Sequence, residues 1–553
     1  MRVVFLIGRA DSATLSTLAR ACQVPGIEPI AVLIDTAHPN RQQRWNNLRR
    51  NIRREGLTYV FYRAVSMLRQ HLEARADRII PQDEVETLLR QAFPDRSIES
   101  LSLRYGFSVM EVENLNSPQA QQALRSFQAD LGVVLGTRVL KQDLLSIPRL
   151  GCINLHKGKV PEYRGMPPGF WELYEQQESA HVTVHFVDAG LDTGDVIETT
   201  SVPIHPLETP ESLRSKLNIA GEQVLASALD QLQQGTALRQ PQIRGDRVPR
   251  TRPTRAQQEE LARRLPHWRR LGDGSQVIKL IVWLTIFHSG LFSLIRWSRR
   301  GSSRGAILLY HRINDVSQDV LTANTRRFAE HIVALKHYYL LTSTANLVGQ
   351  IAGGVSIPAT SVAIHFDDCY RDVHDFAAPI LNAASAPAVA FIASGFVDTD
   401  RLFQHDLKKY PHRFPNLRQP DLQRLPAFGV EIAAHTVNHV DLGSVTLEQA
   451  STEVVQSRQQ LEQWLQHPVL LFSFPFGGIH NIREEVREMV ASAGYRALFS
   501  AHGGFIGPQT SLFDIPRFGV SSDQSALALL MRLEGISPGD FSRWLRGLFK
   551  KQP

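Results

Sequence analysis

The chain reads as an α/β protein with at least two domains, on three observations. At the amino terminus two apolar runs, Val3 to Ile7 and Pro29 to Ile34, flank the helical stretch Ser12 to Cys22. Strand, helix, strand is the repeat of a parallel sheet. Leu131 to Leu135 is continuously apolar, as in a strand buried on both faces. Finally, 553 residues are too many for one ordinary core.

Apolar content of 43% and charged content of 21% are those of a globular chain. The net charge of +7 is spread thinly. It allows anionic partners such as nucleotide sugars or acidic lipids, and is no nucleic-acid signature. Cys22, Cys152 and Cys369 are isolated from one another, without CxxC or a disulfide framework, which fits a reducing compartment. The first apolar run has five residues before charges begin, too few for a secretory signal. The expected location is cytoplasmic.

Gly8 alone does not make a dinucleotide fingerprint, which needs several glycines in the turn. Arg41 to Arg78 is basic and helical in period, with Arg44, Arg49, Arg50, Arg53 and Arg54 clustered. It reads as a solvated helix face or as a surface for an anionic substrate or membrane. Ser117 to Gln128 reads as a helix, with Ser117 as cap and Pro118 in its first turn. Gly136 to Leu140 follows a central strand at its carboxyl end, where open α/β sheets bind ligands.

Gly151 to Gly158 runs on through Pro161 to Gly165. In an extended segment Asn154 and His156 point to one side. Asn can donate to an oxygen that gains charge, and His can act as acid or base. The loop Asp188 to Val196 offers carboxylates that could orient the imidazole.

The order Asn154, His156, Pro161, Tyr163-Arg164-Gly165, His181 to His185 and Leu191 to Gly194 resembles the folate-dependent formyltransferases. The resemblance covers roughly the first 240 residues and implies a Rossmann-like sheet. It implies a triad of Asn154, His156 and Asp192, with 10-formyltetrahydrofolate as donor. Asn154 would bind the forming oxyanion, His156 would stay protonated, and Asp192 would help move protons. Arg138, Val139, Leu140 and Asp188 would contact the folate, and Tyr163 and Arg164 would line the acceptor groove. Lys157 and Gly158 depart from the usual small residues of that loop.

Gln234 to Arg255 is rich in Arg, Pro and Gln, and no tRNA-binding barrel is evident after it. Val277 to Ile295 is apolar except for Lys279 and His288, between Arg269, Arg270 and Arg296, Arg299, Arg300. It reads as a buried helix, a membrane-surface helix or a span. Trp283 and Trp297 near the basic flank favour the interface.

Ile307 to Arg312 and Ser361 to Asp368 read as strands ending in polar groups. Adjacent carboxylates such as Asp367 and Asp368 are costly to hold together without a cation or proton. His435 and His439, four apart, share one face of a helical turn or converge across a tight loop. With one carboxylate they would make an N,N,O set with open positions. Together with Phe472 to Gly477 and Asp514 to Phe518, these resemble the polysaccharide deacetylase family, of the NodB-homology, carbohydrate esterase 4 group. That resemblance implies a distorted (β/α) barrel. Asp367 would be general base, and Asp368, His435 and His439 would hold a divalent metal, expected to be zinc. Pro475, Phe476 and Gly477 would line the sugar groove, and Arg517 would orient Asp367. His365 and Cys369 depart from the family pattern. No LxH acid follows Arg517, so His311, His480 or His502 would have to replace it.

The expected partition is a formyltransferase domain over 1–250 with a basic helical insertion at about 41–100, a linker over 251–304 with an apolar helix at 277–295, and a deacetylase-like domain over 305–553. The expected function is formyl transfer to a sugar amine joined to hydrolysis of an N-acyl amino sugar, nucleotide-, lipid- or polymer-linked. No nucleic acid is expected, and for the apolar segment a surface helix on the inner face of a membrane and a buried helix stay open. The alternatives are a catalytically silent glycan-binding scaffold and a tRNA-directed formyltransferase.

Overall fold

The computed structural model describes residues 1–36, 41–56, 58–243, 248–265, 274–316, 319–409, 414–521 and 524–536. Arg269 and Arg270 lie outside the described residues, as does the Arg44 side chain. Two compact units emerge, Met1–Ala64 with Phe93–Leu271, and Val65–Ala92 with Gly272–Pro553.

The first unit holds a seven-stranded sheet of β1 (Arg2–Ile7), β2 (Glu28–Asp35), β3 (Ser108–Val112), β4 (Leu131–Leu135), β5 (Cys152–His156), β6 (Ser179–Phe186) and β7 (Val196–Pro203), in the order β3-β2-β1-β4-β5-β6-β7. The first five strands run parallel, and β6 and β7 are antiparallel to their neighbours. Alternation along β1 sends Val3, Phe5 and Ile7 into one core and Val4 and Leu6 into another. That explains a strand with no polar face. The helix after Ser117 forms as Pro118–Ser126, with the Ser117 hydroxyl accepting from the Ala120 N–H. The basic stretch forms two helices, Arg41–Glu55 and Thr58–Asp77, broken at Gly56, whose φ is +75°.

The second unit holds an eight-stranded sheet whose strands all run parallel. Its path runs Ala497–Phe499, Leu471–Ser473, Val430–Ala434, Ala388–Ile392, Ser361–Phe366, Ala306–Tyr310, Phe518–Gly519, and the eighth strand, Leu340–Leu341, pairs with Ser361–Phe366 off this path. Parallel strands deliver their carboxyl ends to one edge. That edge therefore carries His311, Asp367, Asp368, His435 and Phe474.

Two expectations are corrected here. The expected insertion is not confined to the first unit, because Val65–Ala92 belongs to the second. Helix Gln82–Ala92 buries Val85 and Leu88, and Glu86 pairs with Arg326 at 2.6 Å. Its apolar face packs on helices Thr325–Tyr338 and Ala378–Ala384. The apolar segment is not one helix either. Gly274–His288 and Leu291–Arg299 meet at a 66° bend at Ser289-Gly290, where Gly290 has φ +82°. No single helix among the described residues is long and apolar enough to cross a membrane.

Candidate active sites

In the first unit the site grows from the register of β5 against β6. Asn154 lies opposite His185, and His156 opposite Thr183. Residues directly opposite project to the same face. The loop after β6 then brings Asp192 back over that face. Gly194 allows the turn, since a Cβ there would lie 1.9 Å from the Phe186 carbonyl oxygen. Asp188 braces the loop, accepting from the Gly190 N–H at 3.0 Å and from the Thr193 hydroxyl.

Asp192 is the hub. Its Oδ2 accepts from the Gly165 N–H at 3.1 Å and lies 3.5 Å from His156 Nδ1. Its Oδ1 accepts a long bond from Asn154 Nδ2 at 3.4 Å and lies 3.6 Å from His185 Nε2. Burial pushes its carboxyl up, but His185, His156 and the Gly165 amide outweigh it and hold it below the ordinary value. His156 Nε2 lies 2.8 Å from the Tyr163 carbonyl oxygen, which can only accept, so Nε2 carries a proton. Burial pushes His156 below its ordinary value, against the pull of Asp192 and the Tyr163 carbonyl. That direction runs against the expected imidazolium and favours a neutral ring, whose Nδ1 could accept. Gly158 seats it, because a Cβ would meet the Tyr163 carbonyl at 2.5 Å and His156 Nε2 at 2.8 Å.

His185 was not among the expected site residues. It is buried, and its Nδ1 donates to the Phe186 carbonyl at 2.7 Å. That leaves Nε2 to face Asn154 Nδ2 at 3.3 Å. The period-2 alternation His181, Thr183, His185 contained the signal. Arg138 forms a two-pronged pair with Asp35 at 2.6 and 3.1 Å, Val139 is exposed and Leu140 is buried. A cavity of about 590 Å³ is lined by Leu145, Cys152, Phe186, Val187, Asp188 and Thr193, among others. Tyr163 donates to Glu175 at 2.8 Å, while Arg164 is buried. Beside Tyr163, burial pushes the Glu172 carboxyl up to about 7.

In the second unit the two adjacent aspartates have different partners. Asp367 is gripped by Arg517, Nη1 to Oδ1 and Nη2 to Oδ2, both at 2.7 Å, and accepts from Ser473 Oγ at 3.1 Å. Burial raises its carboxyl, but Arg517 and His435 overcome that and bring it down to about 2. Asp368 turns the other way, with φ +78°. It is buried, and neither oxygen accepts a hydrogen bond. Instead His439 Nε2 stands 3.0 Å and His435 Nε2 3.7 Å from Oδ1, and His405 Nε2 3.7 Å from Oδ2.

His435 and His439 converge across a tight loop rather than a helical turn, with His439 at φ +54°. His435 Nδ1 donates to the Ser473 carbonyl at 2.8 Å, which leaves Nε2 its lone pair. Burial pushes His435 down to about 4. One ligand atom each from Asp368, His435 and His439 lies within 4.8 Å of the others. An acceptor-only carboxylate without donors, beside an imidazole with its lone pair inward, fits a divalent cation.

His405 was also missed. It contacts Tyr370 Oη at 2.8 Å, and Tyr370 in turn donates to Asp406 at 2.6 Å. Sequence spacing gives no hint of it, since it enters from the short helix Gln404–Lys409, outside both motifs. Phe476 is exposed with its ring 5.0 Å from that of His439, and Pro475 and Gly477 flank it. Of the three acid candidates, His480 and His502 are exposed, and His502 pairs with Asp514 at 3.0 Å. His311 follows its strand directly, and burial pushes it below its ordinary value against the charges of Asp368 and Asp367. His365 is a core residue, bonded to Thr344 Oγ1 at 2.8 Å.

Residues 1–229 match the formyl transferase family and residues 355–498 the polysaccharide deacetylase family. The chain thus joins a formyl transferase domain to a polysaccharide deacetylase domain, both of enzyme families. It is 36% identical over 146 residues to the methionyl-tRNA formyltransferase of Geotalea uraniireducens, covering 26% of this chain and 47% of that protein. The chain spans about half the length of the curated relatives it matches. Among solved structures, Streptococcus pyogenes deacetylase PplD covers 42% of this chain and 98% of its own at 19% identity and TM-score 0.36. Glycinamide ribonucleotide transformylase 1 from Symbiobacterium toebii covers 42% and 88% at 17% identity and TM-score 0.29.

Proposed function

We propose that the chain is a bifunctional enzyme. Its first site moves a formyl group from 10-formyltetrahydrofolate to a sugar amine. Its second hydrolyses an N-acyl amino sugar with a divalent metal, zinc by the ligand set. The observation that carries the reading is the paired completeness of the clusters. Asn154, His156 and Asp192 meet at one strand end, and Asp368, His435 and His439 surround one point beside Asp367.

In the first site the acceptor amine attacks the formyl carbon, and the Asn154 amide donates to the carbonyl oxygen as it gains charge. His156 Nδ1 takes the proton the amine releases, and Asp192 balances the imidazolium so formed. As the carbon–nitrogen bond to the donor breaks, that proton returns to the leaving nitrogen. The cavity beside Asp188 and Thr193 suits the donor's flat ring. In the second site Asp368, His435 and His439 would hold the metal. It would supply Lewis acidity toward the amide oxygen and a more acidic water. Asp367, fixed by Arg517, takes a proton from the attacking water, and His311 gives one to the departing amine. Phe476 offers an apolar wall to a sugar ring.

Hydrolysis of an N-acyl sugar leaves the free amine that formyl transfer consumes, so the joint reaction is exchange of N-acetyl for N-formyl. The rival is opposition, in which the second site removes what the first adds. A folate donor belongs to the cell interior, which supports a cytoplasmic placement. The test supplies an N-acetyl amino sugar with the formyl donor and follows both groups by mass. Exchange yields an N-formyl product that is lost in Asp368→Ala and His156→Ala, with free amine accumulating only in the latter. Hydrolysis of N-formyl sugar with the N-acetyl sugar untouched rules exchange out. A second reading, an amine carried on tRNA, is favoured by the relatives named above. It predicts tRNA binding that weakens steeply with salt.

A further inference from the structure

We propose that the bent helix pair Gly274–His288 and Leu291–Arg299 is a docking face for the interfacial layer of an anionic lipid bilayer. The pair has two sides. Val277, Leu280, Leu284, Ile286 and Phe292 are buried, with the Phe292 ring packed on Phe287 and Tyr338. The other side exposes Ile278 at 64%, Ile281 at 44%, Leu291 at 43%, Leu294 at 57% and Trp297 at 66%. Single exposed apolar residues are ordinary, but five large ones on one short element are what an interaction surface looks like.

Length and packing make this a face and not a span. Helices of 15 and 9 residues rise about 22 and 14 Å, short of the ~30 Å hydrocarbon layer. The 66° bend prevents their lengths from adding along one axis, and one side is committed to the protein.

Charge selects the occupant. From Gly274 to Arg304 the chain has Lys279, Arg296, Arg299, Arg300 and Arg304, and no Asp or Glu. Arg296 and Arg299 turn back toward Glu534 at 3.2 and 3.8 Å, whereas Arg300 is exposed. An apolar stripe flanked by Lys279 and the exposed Arg300, with Trp297 at its edge, matches acyl chains below anionic headgroups. This face is independent of both active sites, so its test does not depend on their chemistry.

The experiment is co-sedimentation of the full chain with phosphatidylcholine vesicles, with and without phosphatidylglycerol. The wild type should sediment with the anionic vesicles and be released by salt. The double change Ile281→Asp with Leu294→Asp should abolish binding, and Arg300→Gln should weaken it about fivefold. Trp297→Ser gives a milder second variant, and circular dichroism confirms that each folds. Absence of wild-type binding, or equal binding by the folded variants, overturns the proposal. So does a concentration-dependent dimer that the same changes dissolve, because the face would then belong to a second copy.

Discussion

Asp192 and Asp368 are both buried carboxylates facing imidazoles, yet their surroundings differ in kind. Asp192 accepts a backbone N–H and a side-chain amide, so its charge is spread over fixed donors. Asp368 accepts no hydrogen bond, and its nearest neighbours are imidazole nitrogens. A buried anion without donors is costly, and a cation offsets that cost. The first arrangement therefore suits proton transfer by the chain's own groups, and the second fits a cation. Asp367, one residue away, shows a third solution, in which the cation is Arg517.

The largest effect that sharpens this contrast is metal removal. Chelation, or Asp368→Ala or His439→Ala, should drop deacylation to background and leave formyl transfer unchanged, with metal content read by elemental analysis. Deacylation by metal-free protein breaks the contrast. Next, His156→Ala should lower formyl transfer by about 10² to 10⁴ with the fold intact. Its wild-type rate should rise with pH through a value below 6.5 and then level, since the neutral ring is the base. A rate that falls over that window instead would restore the imidazolium role.

Third, Arg517→Met leaves Asp367 buried and unpaired and should cost about 3 to 5 kcal/mol in the second unit's denaturation. The Asp367 carboxyl is depressed from 3.8 to about 2 in the fold, so its stabilisation is present above 3.8 and is lost as pH falls through 2. That acid limb should shrink in the variant, and equal limbs would show that Arg517 does not set it. Smallest, Gly158→Ala should displace the His156 ring and slow formyl transfer about 10- to 100-fold, at a stability cost of about 1 to 3 kcal/mol.

Much of this was legible in one dimension. Apolar runs fixed β1, β2 and β4, because a strand buried on both faces has no room for polar residues. The Ser117-Pro118 cap placed its helix, and the i,i+2 pair Asn154 and His156 announced a strand end with chemistry on one side. The Asp367-Asp368 doublet and the His435, His439 pair marked a cluster whose geometry fits a cation.

What only tertiary structure decided depends on distance in space. His185 joins the first site because β6 pairs antiparallel to β5, and register is not written in either strand alone. His405 reaches Asp368 from the short helix Gln404–Lys409, which carries no motif. The downward pull on His156 comes from its burial, which spacing does not report. Helix Gln82–Ala92 left the unit its sequence position suggested because its apolar face found cover on helices Thr325–Tyr338 and Ala378–Ala384. The apolar segment bends at Ser289-Gly290 because a glycine in the left-handed region ends a helix at little cost. Local pattern sets what each segment can form. The balance of burial against charge, available only once the segments meet, sets what their side chains do.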